Sequence, residues 1–141
     1  MTVMTIEEAK SSVILATDIF NYKGRALLTF MKAEFRLDFD ETRDVSEALG
    51  EYGAVYRNYG TAQVISGYSK GIGITFRESL PDPEIEFKEK SRKASLDLIT
   101  LLRSLDFTTN DINSITEKLK DFGEAGRVLG YAEGYLLIAQ R

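Results

Sequence analysis

The spacing of apolar residues changes along this chain, and that change constrains the fold more than any other feature. Residues 32 to 40 read KAEFRLDFD, with polar and apolar residues alternating. Alternation with a period of two is typical of a β-strand with one buried face. After Pro83, apolar residues instead recur every three or four positions, as they do on an α-helix. The sequence therefore predicts an α+β body followed by a helical tail.

The first eighty residues divide into elements according to their caps, apolar spacing and glycines. Thr5 and Glu8 match a capping box, which predicts a first helix from about 6 to 19. A strand over 12 to 20 is the alternative, because the residues up to Gly24 are turn-like. We predict further elements in this order: a strand ending at Asp40, a helix from about 44 to 58 stopped by Gly60, and the strands Thr61–Tyr68 and Ile72–Arg77.

The remaining residues carry the signals of helices only. Asp82 and Pro83 are residue types favoured at a helix start, and helical spacing follows them to about residue 105. A further helix begins near Thr108 or Thr109, and Gly123 separates it from a last one. No linker of low complexity and no internal repeat is apparent.

The predicted order of the central elements, β-α-β-β-α, resembles that of ferredoxin-like domains. The resemblance implies a three-stranded, mainly antiparallel sheet with helices on one face. We therefore expect a single domain over 1–141, with an α/β body over 1–80 and a helical extension over 81–141 packed on it.

Composition argues against several classes of function. The 141 residues include no His, no Cys and no Trp, which removes the side chains most used in nucleophilic, redox and zinc chemistry. We therefore expect a protein that is not an enzyme and binds no cofactor. The N-terminal segment does not read as a signal peptide, and no apolar run approaches the ~20 residues of a membrane span. A cytoplasmic protein that does not enter a membrane is the expectation.

One short motif resembles part of an RNA-binding domain. In RRM domains, a Lys/Arg-Gly-aromatic-Gly/Ala-aromatic motif stacks its rings on bases. Here the matching stretch from Lys70 reads KGIGI, so Ile72 and Ile74 stand where the rings would be. The net charge of −4 also lacks a concentrated basic face. Nucleic acid is therefore not an expected partner, and an RNA-associated subunit of a larger complex is the weakest alternative function.

Four acidic residues lie close together between the predicted strand and the helix after it. They are Asp38, Asp40, Glu41 and Asp44. Clustered carboxylates are what Mg²⁺ or Ca²⁺ require, but the spacing does not match an EF-hand loop. We expect a role in solubility or in the helix start, and these residues are only weak candidates for a metal site.

Glycines recur every four residues on the last predicted helix, at Gly126, Gly130 and Gly134. Each costs about 1 kcal/mol of helix stability relative to Ala, so their retention predicts that something packs closely there. Three interpretations stay open: another helix of the same chain, a partner or second copy, or a ligand. Tyr131 and Tyr135 lie beside these glycines and widen the apolar surface.

A stripe of tyrosines on the helix from about 44 to 58 is a second candidate surface. It comprises Tyr52, Tyr56 and Tyr59. Tyrosine is common at protein interfaces, but this spacing is also typical of a face packed on the core.

Together these features predict a small interaction or assembly module that is not an enzyme and self-associates through helices, with protein as its partner. The alternative is a small-molecule-binding protein with a pocket between the C-terminal helices and the sheet.

Overall fold

Four long helices make up the part of the chain that the computed structural model describes, residues 5–71 and 83–140. They are α1 (Ile6–Glu34), α2 (Phe39–Gly71), α3 (Pro83–Ser104) and α4 (Thr109–Ala139). Those residues contain no strand. The predicted α+β, ferredoxin-like fold with its three-stranded sheet is therefore wrong. Thr61–Tyr68 is part of α2, and the predicted strand Ile72–Arg77 lies outside the described residues.

The alternating stretch from 32 to 40 is the end of α1, a short loop and the start of α2. Ala33 is exposed and Phe39 is 80% exposed, so neither belongs to a buried strand face. Only Phe35 and Leu37 pack on the core. The backbone N–H of Leu37 donates to the carbonyl of Lys32, which folds the loop back onto the helix end. The alternation thus reflects two core contacts made by a loop.

Glycines predicted to end or interrupt helices lie within them instead. Gly24, Gly60 and Gly123 are all internal to a helix. A β-carbon on Gly24 would lie 2.9 Å from the ring of Phe122, closer than real β-carbons come to a neighbouring atom. Gly24 therefore leaves room for a helix to approach, and α1 continues past it for ten more residues.

The described residues form two helical hairpins of the same construction, 70 residues apart. Each hairpin loop has a residue with positive φ at the equivalent place, Arg36 (52°) and Asp106 (67°). Each second helix begins with a reciprocal capping box, between Asp38 and Glu41 in the first hairpin and between Thr108 and Asp111 in the second. The structure therefore contains an internal repeat that the sequence analysis does not detect.

The two hairpins are interleaved, because each outer helix packs mainly on the other hairpin's inner helix. The inner helices α2 and α4 lie side by side, α1 packs on α4, and α3 packs on α2. The central crossing is reciprocal: Gly60 faces the carbonyl of Arg127, and Gly130 faces the carbonyl of Arg57. A pseudo-twofold axis thus runs between α2 and α4.

The core is largest near the two hairpin loops, where all four helices contribute. Its most deeply buried large side chains there are Leu27, Met31, Val45, Leu98, Leu102 and Ile115. The loops themselves meet, with the ring centroids of Phe35 and Phe107 4.3 Å apart. A smaller cluster of Ala16, Leu129 and Ala132 joins α1 to α4 further from the loops. None of the described helices combines the length and apolar character required to cross a membrane.

Candidate functional site

The three glycines of α4 lie against α2 of the same chain. Gly126, Gly130 and Gly134 are all buried. The closest neighbours of a β-carbon at each would be backbone or side-chain atoms of α2 or, at Gly126, also the ring of Phe20. The hydroxyl of Thr61 donates to the carbonyl of Gly130 at 2.9 Å. The structure therefore places the glycine stripe in the centre of the fold, where it offers no surface to a partner.

The tyrosines of the two predicted surfaces divide between interior and exterior. Tyr52 is buried, and Tyr56 and Tyr59 are partly buried against the ring of Phe87 on α3. Tyr56 and Tyr59 therefore lie between α2 and α3, while Tyr52 lies in the core beside Phe122 of α4.

The two tyrosines of α4 lie nearer its surface. Tyr131 is partly buried, and the guanidinium of Arg127 lies over its ring, 4.8 Å from the ring centroid. Tyr135 is exposed. Of the five predicted tyrosines, Tyr135 is thus the most accessible to a partner.

The acidic residues between α1 and α2 have structural partners. Asp38 and Glu41 form the capping box of α2, with the N–H of Glu41 donating to the Asp38 carboxylate at 2.8 Å. Asp40 and Asp44 each pair with Arg43 at 3.6 Å. Among the residues that the structure describes, no group of His, Cys, Asp or Glu has the arrangement of a metal site. The acidic cluster therefore belongs to the start of helix α2.

An open cleft separates α1 from α2, because the two helices make few contacts with each other. Its part nearer the loops has a volume of about 370 Å³ and is lined mainly by Phe20, Gly24, Leu28, Leu49, Gly50 and Phe122. A space of about 410 Å³ shares Ala54 and Arg57 with it. Arg57 crosses to α4, where its guanidinium donates two hydrogen bonds to Glu133, and this hydrogen bonding raises the pKa of Arg57.

Small residues on one side of the pseudo-twofold axis contribute to this opening. Gly50 and Ala54 of α2 line the cleft. The positions 70 residues later on α4 hold Lys120 and Glu124, whose long side chains extend from the equivalent surface. The cleft is therefore specific to the first hairpin, and its lining combines aromatic and aliphatic side chains with the polar Asn21, Arg25, Ser46 and Arg57, as ligand pockets commonly do.

The outer face of α1 carries an uncharged stripe that the other described residues leave exposed. We call it the α1 seam; it comprises Leu15, Ile19, Tyr22, Ala26, Thr29 and Ala33, all exposed. Leu15 is 62%, Ile19 42% and Tyr22 71% exposed. Successive members are separated by four and three residues in turn, which is the heptad spacing of a coiled-coil seam. Helices with such a stripe bury it against another helix.

The same positions on α3 provide an internal comparison. They lie 70 residues later and are exposed as well, but three of them are charged, Glu89, Arg92 and Arg103, beside the apolar Ile85, Leu96 and Ile99. Three charged residues in a line of six are typical of a helix face that stays in water. The uncharged stripe is thus specific to α1 and is not a general feature of the outer helices in this fold.

The sequence analysis missed the α1 seam because it ended the first helix near residue 19. The buried face of α1 includes Ala9 and Ala16. The signal for the seam was present in the spacing of Leu15, Ile19 and Tyr22, and it extends over three heptads only when the helix continues through Gly24.

Comparison with known proteins supplies no relative from which a function could be transferred. No family model matches the chain, and neither a curated protein nor a solved structure matches it.

Proposed function

We propose that the protein is a cytoplasmic assembly module without enzymatic activity, and that it self-associates through the α1 seam. The observation that carries this proposal is the exposed, uncharged heptad stripe on α1. Leu15, Ile19 and Tyr22 would each lose their remaining exposed area on association, and removal of apolar surface from water contributes about 25 cal/mol per Å².

The internal repeat supports this proposal, because the equivalent face of the second hairpin, on α3, contains charged residues. The α3 face keeps the fold intact with Glu89, Arg92 and Arg103 in the stripe. Charged residues there are therefore compatible with the architecture, and the folding of the chain does not require an uncharged α1 face. A partner helix gives these apolar residues a role.

Sedimentation velocity on Leu15→Glu and Ile85→Glu tests the proposal with a matched pair. The two residues lie at equivalent positions of α1 and α3 and are similarly exposed, Leu15 at 62% and Ile85 at 59%. We expect the unmodified chain and Ile85→Glu to form a dimer. Leu15→Glu should weaken association at least tenfold, because a carboxylate would be buried in the seam. A monomeric unmodified chain, or equal behaviour of the two variants, would refute the proposal.

A second candidate function is binding of an apolar small molecule in the cleft between α1 and α2. The observation that favours it is the lining by Phe20, Leu28, Leu49 and Phe122 beside the small residues Gly50 and Ala54. A sheet no longer contributes to such a pocket, and helix α4 forms its floor. Fluorescence of an anilinonaphthalene sulfonate probe tests this function. Binding that disappears in Ala54→Phe, which fills the cleft, would support it, and binding unaffected by that change would count against it.

A further inference from the structure

We infer that two copies of this chain pair their α1 seams in antiparallel orientation, with Asp18 of each copy beside Arg25 of the other. The inference rests on the proposed self-association and specifies its geometry. The partner that fits is thus a second copy of the same helix face, reversed in direction, with Leu15 to Ala26 of the two copies side by side and Thr29 opposite Ser12.

The sizes of the seam residues favour a reversed partner. In the antiparallel register, Ile19 of one copy lies opposite Tyr22 of the other, and Leu15 lies opposite Ala26. Leu15 at each end of this group then meets a small residue, and the two bulky Ile19–Tyr22 layers lie together at the twofold axis, so that the pair is widest at its centre and symmetric about it. In a parallel pair, each residue would meet its own copy, so that Tyr22 would face Tyr22 and Ala26 would face Ala26. The three large layers at 15, 19 and 22 would then be followed by the three small ones at 26, 29 and 33, which would hold the helices apart at one end and leave a gap at the other.

Charges on one flank of the seam complement each other in the same register. Asp18 precedes Ile19 and Arg25 precedes Ala26, so both lie on the same side of the stripe. When two helices are related by a twofold axis across the seam, this flank faces its own copy. Asp18 then lies within two residues of the level of Arg25 in the second copy, a shift of about 3 Å along the helix. The axis repeats the pair, so that each dimer contains two such ion pairs.

Both charged groups are available for this contact. Neither Asp18 nor Arg25 has an ion pair within the part of the chain that the structure describes. On the opposite flank, Lys23 already pairs with Asp121 at 3.2 Å. A parallel dimer would bring Asp18 towards Lys23 and Arg25 towards Phe30 of the second copy, leaving the guanidinium without a carboxylate. Charges flanking a seam set the orientation of coiled coils in this way.

Cysteine cross-linking tests the orientation, and the chain suits it because it contains no Cys. The antiparallel register places Ser12 opposite Thr29 of the second copy. Ser12→Cys and Thr29→Cys should therefore form a disulfide-linked pair when mixed under mild oxidation, while neither variant links to itself. Self-linking of Ser12→Cys alone would establish a parallel pair and overturn the inference. If the protein is a dimer but the mixed variants form no disulfide, the antiparallel register is overturned.

Charge reversal provides an independent test that uses the unmodified seam. Asp18→Arg places two Arg–Arg contacts in its homodimer, and Arg25→Asp places two Asp–Asp contacts in its own. Each variant alone should associate several-fold more weakly than the unmodified chain. Mixing the two variants restores both Asp–Arg contacts, so at low salt the mixed dimer should associate about as tightly as the unmodified chain. In 1 M salt charges are screened, and the mixed dimer should be no tighter than the dimers of the separate variants. A mixture no tighter than the separate variants would overturn the inference.

The failure of the inference and that of the proposed function can be told apart. An unmodified chain that sediments as a monomer removes the proposed function, and the geometry with it. A stable dimer that dissociates on Leu15→Glu but does not show the Ser12–Thr29 link keeps the proposed function and rejects only the antiparallel register. Circular dichroism of each variant, compared with the unmodified chain, verifies that the helices are intact in these comparisons.

Discussion

The hydroxyl of Tyr52 donates a hydrogen bond to the hydroxyl of Tyr56, one turn further along α2, at a distance of 3.2 Å. The two rings are tilted, with centroids 4.9 Å apart. Tyr52 lies in the core and also neighbours Phe122. Burial of the Tyr52 hydroxyl raises its pKa well above the ordinary tyrosine value, and the hydrogen bond to Tyr56 raises it further. The neutral phenol is thus the form that the fold accommodates.

This relationship predicts loss of stability in alkali. An unfolded chain ionises its tyrosines near pH 10, whereas Tyr52 keeps its proton in the folded state to a higher pH. A raised pKa in the folded state contributes stability that is present below pH 10 and is lost as the pH rises above it. The free energy of unfolding, measured in urea, should decrease less between pH 8 and pH 11 for Tyr52→Phe than for the unmodified chain. Tyr135→Phe, at an exposed position outside the α1 seam, should show the same decrease as the unmodified chain.

Gly130, at the crossing of α2 and α4, should be far more sensitive to substitution than the exposed Gly50. A β-carbon at Gly130 would lie 1.9 Å from the carbonyl oxygen of Arg57, so the two helices would have to separate. We expect Gly130→Ala to lower the free energy of unfolding by about 3 kcal/mol. The control is Gly50→Ala, where no atom of the described residues lies within 4 Å; it should raise the free energy by about 0.5–1 kcal/mol. Equal effects of the two substitutions in urea unfolding would contradict the close crossing.

The hairpin loops should be stabilised by glycine at their left-handed residues. Arg36 has a φ of 52° and Asp106 a φ of 67°, a region that costs an ordinary residue about 1–2 kcal/mol and glycine little. Arg36→Gly should therefore raise the midpoint of thermal unfolding. Asp106→Gly should raise it less, because aspartate tolerates this conformation better than arginine does. A lower midpoint for Arg36→Gly would show that its side chain contributes more to the fold than its backbone strain costs.

The start of α2 should depend on Asp38 and only slightly on its acidic neighbours. Asp38 accepts a hydrogen bond from the N–H of Glu41 at 2.8 Å, and its own N–H donates to the Glu41 carboxylate at 3.0 Å. Asp38→Ala should lower the free energy of unfolding by about 1 kcal/mol. Asp40→Ala serves as the control, because it removes only an exposed ion pair with Arg43, worth well under about 1 kcal/mol. Equal losses would argue against the capping role.

Signals at helix ends were interpreted correctly where they depend on a few neighbouring residues. Thr5 does cap α1, with the N–H of Glu8 donating to the Thr5 hydroxyl, which itself donates to the Glu8 carboxylate. Pro83 begins α3, and Thr108 caps α4. Such caps require only hydrogen bonds within one turn, so the chain itself contains all the information that decides them.

Glycine and alternation misled the sequence analysis because their meaning depends on distant residues. Gly60 resembles a helix stop, yet its role is to let the carbonyl of Arg127, 67 residues later, come close. Gly24 makes room for Phe122 in the same way. Once Gly24 and Gly60 are taken as helix ends, α1 and α2 break into short pieces that suggest strands. The repeat was missed for a related reason: hairpins share loop geometry and burial, which few identical residues record.

The candidate site shows the same division. The glycine stripe was recognised as a place of close approach, and the sequence left three occupants open. The structure shows α2 there, and this could not be decided without knowing which helices are neighbours. The exposed seam of Leu15, Ile19 and Tyr22 was missed because its length became visible only with the full extent of α1.

The interleaving of the two hairpins has a consequence for how the molecule comes apart. Proteins built from repeated units often lose those units one after another, since each repeat is held mainly by its neighbour. Here α1 packs on α4 and α3 packs on α2. Unfolding of either hairpin would therefore expose the apolar face of the other hairpin's inner helix. Neither hairpin has a hydrophobic core of its own, so we expect the two hairpins to unfold together in a single cooperative transition.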